Sequence, residues 1–212
     1  MKGKASGEPS SRRQNREPSS QRERILEALA SICAEHGSGA ATIQAIVARA
    51  GTSKRTFYRE FAGKEEALEA IADEFRDRVL EALTERPRSG EDRQWPDSLR
   101  LGVAALLETV AAEPEPAKVV FLEPSSGNRP AGELLIAEIF ERSAESASEP
   151  PPSPAAARAA RAGAQGLIVD QLIADRADTL PALLPELLYI SLVPYVGQRE
   201  ALRRSQVTGE SE

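Results

Sequence analysis

The stretch from Thr42 to Leu68, TIQAIVARAGTSKRTFYREFAGKEEAL, leaves the chain least freedom. Ile43, Ile46, Val47 and Ala50 fall at i, i+3, i+4 and i+7, the spacing of one apolar face of a short helix, and Thr42 stands where its hydroxyl caps that helix. Gly51 ends it, because glycine tolerates the left-handed backbone that a sharp turn between helices requires. Thr52 and Ser53 then offer oxygens to cap a second helix, about Ser53 to Glu60. That helix carries Lys54, Arg55, Thr56, Tyr58 and Arg59 outward. Phe57 and Phe61, four apart, anchor its other side, and a further helix opens at Lys64.

Two short helices around a tight turn, the second one basic, make a helix-turn-helix, in which the second helix enters the DNA major groove and its first residues meet base edges. The run AGTSKRTFYREF followed by GKEEAL resembles the DNA-binding segment of the tetracycline-repressor (TetR) family of bacterial transcription regulators. The resemblance is specific from Ile25 to Leu68 and only architectural beyond. It implies that Lys64 opens a fourth helix and meets a DNA phosphate, a role that the free amides and positive dipole end of a helix N-terminus support on their own. It also implies that Thr42 and Tyr58 hold the DNA backbone beside Lys64, while Lys54, Arg55 and Thr56 reach bases. Thr52, Ser53 and Arg59 complete the expected DNA-binding set. Three residues depart from the family pattern: Cys33 and Ser38 where aromatics are usual, and Val47 where alanine is preferred. The first two thin the small domain's expected core, and the third widens the expected crossing of the two motif helices.

The net charge of −6 hides a division. Residues 1–64 carry 12 Lys+Arg against 6 Asp+Glu, and residues 65–212 carry 15 against 27. A basic N-terminal third on an acidic body gives a polyanion one face to meet. Residues 1–19, rich in Ser, Gly, Pro and Arg, read as a disordered basic arm. It is either an inert tail or a place from which Arg12, Arg13 and Arg16 reach phosphates or the minor groove.

The fold class expected is all-α: a three-helix DNA-binding domain over 20–68, a larger helical ligand-binding and dimerisation domain over 69–200, and a flexible tail over 201–212. The first helix spans Ser20 to His36, with His36, the only histidine, expected to cap its end. Helix four runs from Lys64 to about Arg86, and PRSGEDRQWP, Pro87 to Pro96, reads as a linker. Body helices follow over about Asp97–Ala112, Glu115–Leu122, Gly132–Ala147, Pro154–Arg176 and Thr179–Val196, parted by proline-rich loops. The Pro154–Arg176 segment is crowded with Ala and Gly and suits close helix packing. The last segment is apolar on nearly every side, so one chain's neighbours do not suffice to cover it, unless it is a central core helix. By resemblance, the last two helices form a four-helix bundle with a second copy, and Ala162, Leu167, Leu184, Leu188 and Leu192 are the expected contacts.

One cysteine excludes an intramolecular disulfide, no apolar run reads as long enough for a membrane span, and the N-terminus lacks a secretion signal's apolar core. A cytoplasmic protein is expected. Catalysis finds no support: one histidine, one cysteine, no glycine-rich phosphate loop and no metal-spaced cluster leave only scattered carboxylates, so neither an enzyme nor a cofactor is expected. The expected partners are double-stranded DNA with an inverted repeat, a second copy of the chain, and an unidentified small-molecule effector. Trp95, Phe121 and Phe140, with Tyr189 and Tyr195, either line the effector's pocket or belong to the core. A repressor follows from family habit alone. The competing reading is an all-helical small-molecule-binding or interaction module that lacks specific DNA binding.

Overall fold

The computed structural model describes residues 20–84, 95–124, 129–144 and 153–206. The expected N-terminal arm lies outside them, as do most of the Pro87–Pro96 linker and the last six residues. Among the described residues there are ten α-helices and two 3-10 segments, with no strand.

The first helix, α1 (Gln21–His36), begins at a reciprocal cap. Ser20 Oγ accepts from the Glu23 amide at 3.1 Å, and the Glu23 carboxylate accepts from the Ser20 amide at 2.8 Å. A 3-10 turn (Ser38–Ala40) leads to α2 (Ile43–Arg49), then α3 (Lys54–Glu60) and the long α4 (Lys64–Thr84). Ile25, Leu29, Ile46, Phe57, Phe61 and Ile71 close into one small core, so the apolar spacings seen in the sequence do face inward. Cys33, which stands where the resembled family usually has an aromatic, is buried in that core.

The body consists of α5 (Trp95–Ala112), α6 (Pro114–Leu122), α7 (Ala131–Ala144), α8 (Pro154–Ile173), a 3-10 segment (Ala177–Leu183), α9 (Leu184–Val196) and α10 (Gln198–Ser205). Its core joins Phe75 and Val79 of α4 to Leu99, Leu107, Phe121, Ile139, Ile168 and Leu187. α4 thus serves both cores, Ile71 in the head and Phe75 in the body, and α6 does the same through Val119 and Val120. Two glycines bring body helices together. A Cβ on Gly132 of α7 would lie 2.4 Å from Phe121 Cδ1, and one on Gly102 of α5 would lie 2.6 Å from Ile139 Cγ2. On α8, a Cβ at Gly163 would stand 3.3 Å from Ile190 Cγ2, so its small residues let α9 of the same chain approach.

Four expectations need correction. Trp95 and Pro96 are not linker but the first turn of α5, and both are buried. A proline in a helix's first turn gives up no intrahelical hydrogen bond, so it starts α5 rather than breaking it. The expected flexible tail is helical as far as Ser205, with Ala201 and Ser205 buried on α10. His36 is exposed in the last turn of α1 with Nε2 3.4 Å from a Glu35 carboxylate oxygen, and the Gly37 amide takes the Cys33 carbonyl instead. Finally, Ala177–Val196 is by length and composition apolar enough to cross a membrane. It contains Asp178, Glu186 and three prolines, and its Leu180, Leu187, Leu188 and Leu192 pack into the body core.

Ion pairs tie α4 to the body. Arg76 grips Glu138 of α7 with Nε and a terminal nitrogen, each 2.6 Å from a carboxylate oxygen, and Arg78 meets Glu113 at 2.7 Å. The hydrogen bond from Arg76 holds the Glu138 carboxyl below its ordinary value of 4.5, with burial opposing and Arg142 assisting. A carboxyl depressed in the folded state gives stability that is present above its ordinary value and lost as pH falls through the folded one. The melting temperature should therefore drop as pH falls below about 4.5, and Glu138→Gln should shrink that drop. Melting curves of both proteins between pH 6 and pH 3 check it, and an equal fall in both would show that the pair contributes nothing to acid sensitivity.

Candidate nucleic-acid interface

The basic helix α3 is set by its two ends and its buried side. Ser53 adopts an extended backbone and its Oγ accepts from the Thr56 amide at 3.1 Å, capping the helix start. Gly51, at φ +60°, makes the turn from α2, and the Thr52 amide closes it on the Val47 carbonyl at 3.0 Å. Phe57 and Phe61, both buried with ring centroids 5.8 Å apart, fix the helix to the head. Truncating a ring as buried as Phe57 costs about 3 to 5 kcal/mol, so α3 cannot roll on its axis without losing much of the head's stability.

That anchoring decides what is left outside. Lys54, Arg55 and Tyr58 are exposed, Tyr58 at 57 % despite its ring packing edge-on against Phe57. Thr42 caps α2, its Oγ1 accepting from the Ala45 amide at 3.2 Å, and is itself exposed. Thr52 is half-buried. Ser53 and Thr56 spend their hydroxyls on each other at 3.0 Å, so the Thr56 hydroxyl is engaged within the helix's first turn. Arg59 is exposed but held, one terminal nitrogen 2.8 Å from Glu60 Oε1 and 3.0 Å from Gln21 Oε1.

Lys64 does open α4, yet its ammonium is engaged: Nζ donates to the Ser38 carbonyl at 2.9 Å. Ser38 is also hydrogen-bonded to Glu123, past the end of α6. Neither Ser38 nor Glu123 was a candidate from the sequence, because they lie 85 positions apart and each reads as loop. Gln44, exposed in the first turn of α2, and Gln21, which holds Arg59, were passed over because glutamine on a polar face carries no pattern.

In the body, the three aromatics proposed to line a pocket all belong to the core. Of them, Phe140 borders an apolar void of about 10 Å³ with Val103, Leu106, Ile136, Ile139, Ala164, Ile168 and Leu187. That volume holds about one water molecule. Phe121 stands close against Gly132, and Trp95 packs against Tyr195 with centroids 4.3 Å apart. Of the expected dimer contacts, Ala162 is exposed and Leu167 and Leu184 are half-buried. Leu188 and Leu192 are corrections: both are buried in their own chain's core. Among the described residues, no group of three or more His, Cys, Asp or Glu is placed to hold a metal ion.

A capped, ring-anchored basic helix following a glycine turn, on a small head joined to a larger helical body, defines a helix-turn-helix DNA-binding protein. Residues 25–71, which hold the helix-turn-helix, match the family described as bacterial regulatory proteins, tetR family. No curated protein matches it in sequence. Solved structures share its fold at low identity. A TetR-like transcriptional regulator from Rhodococcus sp. RHA1 aligns at TM-score 0.58 and 20 % identity over 81 % of this chain and 96 % of that one. The transcriptional regulator FadR from Bacillus subtilis, in complex with stearoyl-CoA, aligns at TM-score 0.61 and 19 % identity over 82 % and 98 %. A tetR-family regulatory protein from Rhodococcus RHA1 aligns at 0.57 and 23 % identity over 90 % and 100 %.

Proposed function

We propose that the protein works in the cytoplasm as a homodimeric repressor that binds an inverted-repeat operator and is released by an apolar or amphipathic small molecule. The observation that carries the DNA reading is α3 itself, fixed by Ser53, Phe57 and Phe61 so that Lys54, Arg55 and Tyr58 stand in solvent. Basic side chains so presented suit a polyanion, and the first turn of the helix is the part that reaches base edges. Dimerisation is supported by the Ala177–Val196 stretch, of whose apolar window only 28 % is buried inside the protomer. On α8, Ala155, Ala159, Ala162 and Gly166 stand exposed at helical spacing, and Ile173 beyond them is 67 % exposed. A second copy covering that face would set the two recognition helices about 34 to 36 Å apart, one turn of DNA.

For the effector, the supporting feature is the wholly apolar void bordered by Phe140. A ligand larger than water enters there only by parting α5, α7, α8 and α9, and such a movement would shift the heads. A panel of fatty acids and their coenzyme A thioesters, read by melting temperature and by DNA affinity, tests this. A compound that weakens DNA binding must itself bind the DNA complex more weakly, by the same factor.

The DNA reading predicts two different failures. Arg55, whose forked guanidinium can pair bidentately with guanine, should on Arg55→Ala lose about 1 to 3 kcal/mol on the preferred duplex and relax preference at one position. Lys64→Ala should weaken preferred and random duplexes alike and reduce the slope of log K against log salt by about one. Affinities after selection from random duplexes, at several salt concentrations, decide it. The DNA reading fails if neither substitution changes binding.

A further inference from the structure

The head meets the body at a polar junction. α6 brings Val119 into the head core, and just past its end Glu123 turns back toward the 3-10 turn that joins α1 to α2. One Glu123 carboxylate oxygen accepts from the Ser38 amide at 2.9 Å, and the other accepts from the Ser38 hydroxyl. The Ser38 carbonyl accepts from Lys64 Nζ at 2.9 Å. One residue is therefore gripped from both sides, its donors by a carboxylate of the body and its acceptor by the lysine that opens α4. Hydrogen bonds to an ionised group are the stronger kind, and bonds sharing a peptide group polarise one another.

Cys33 of α1 registers the same two charges. Its thiol is pushed up to about 11, first by burial and then by the Glu123 carboxylate, with Lys64 opposing. Ser38 also stands where the resembled family often has an aromatic. An aromatic there would add to the core but would offer no hydroxyl to Glu123.

We propose that Glu123 is the positioning residue for Lys64: acting through Ser38, it holds the lysine where the DNA backbone is met, so that a displacement at the end of α6 is felt at the phosphate contact. This rests on the reading of Lys64 as a phosphate-binding residue. A shift of the α6 end withdraws the acceptor from two Ser38 donors at once, and the turn then no longer presents its carbonyl to Lys64 in a fixed place. A movement in the body would thus reach the DNA-binding head through polar contacts between three residues.

The test uses the full chain with Glu123→Gln, Ser38→Ala and the double variant, on selected and random duplexes at several salt concentrations. Each single variant should lose about tenfold in affinity and lower the salt slope by about one, as Lys64→Ala does. The double variant should be little worse than either single one, since both break the same link. Ser38→Thr, which keeps the hydroxyl, should bind like the unaltered protein. The reaction of the single cysteine with an aromatic disulfide reagent supplies a readout that needs no DNA, and it should be faster in Glu123→Gln and Ser38→Ala because the junction opens. If Glu123→Gln and Ser38→Ala keep the unaltered affinity, salt slope and Cys33 reactivity while Lys64→Ala loses affinity, the proposal is overturned. If the unaltered protein binds no duplex, the DNA reading has failed and Cys33 reactivity decides alone: an unchanged rate in both variants overturns the link.

Discussion

Glutamate in place of Leu188 should leave no folded protein at room temperature, whereas glutamate in place of Ala162 should give a folded monomer. Both positions belong to the last long helices, and both were expected to face a second copy of the chain. The structure separates them, for Leu188 is fully buried in its own protomer while Ala162 is exposed on α8. A carboxylate forced into the apolar core at 188 has no partner to offset its lost hydration, and more than about 4 kcal/mol of destabilisation is expected. At 162 the same group costs the protomer little but sets two like charges in the proposed interface. Circular dichroism and light scattering at micromolar concentration read both outcomes. A dimer that survives Ala162→Glu would place the interface elsewhere.

The second large effect concerns a single methyl group. Gly132→Ala puts a Cβ at 2.4, 2.6 and 2.8 Å from three ring carbons of Phe121, a ring that is itself buried. Either α7 lifts from α6 or the ring leaves its rotamer, at a cost of about 1 to 3 kcal/mol and at the upper end of that range. In a Phe121→Leu background the alanine should cost at least about 1 kcal/mol less, because the colliding ring is gone. Denaturant unfolding of the four proteins measures the coupling. Equal costs in both backgrounds would mean that the neighbouring helices relax freely.

These two cases mark how far the residue pattern alone carries. The head was readable because its apolar residues contrast with polar neighbours at a fixed spacing, so Ile46 and Phe57 declare which way they point. α9 offers no such contrast. With Leu, Ile, Val and Tyr on every side, nothing in LPELLYISLVPYV says that Leu187, Leu188, Ser191 and Leu192 turn inward. α10 failed for the opposite reason: QREALRRS is mostly polar, its one leucine, Leu202, is exposed, and its burial rests on Ala201 and Ser205, too small to stand out. Pro96 misled because a proline that opens a helix and one that ends it look alike in a string of letters. The Glu123–Ser38 contact spans 85 positions, and no local periodicity reports a partner that distant.

Trp95 is the only tryptophan in the chain, and it is buried against Tyr195 with its indole nitrogen unpartnered among the described residues. It joins the first turn of α5 to α9, so its emission reports on one seam of the body. Light absorbed near 295 nm, where tyrosine contributes little, should give a blue-shifted spectrum in the resting protein. Any ligand that parts α5 from α9 should move that spectrum toward the red without an attached dye. The DNA-binding head contains no tryptophan, so a duplex engaging α3 alone should leave the emission unchanged, and one optical signal would separate events in the body from events at the groove.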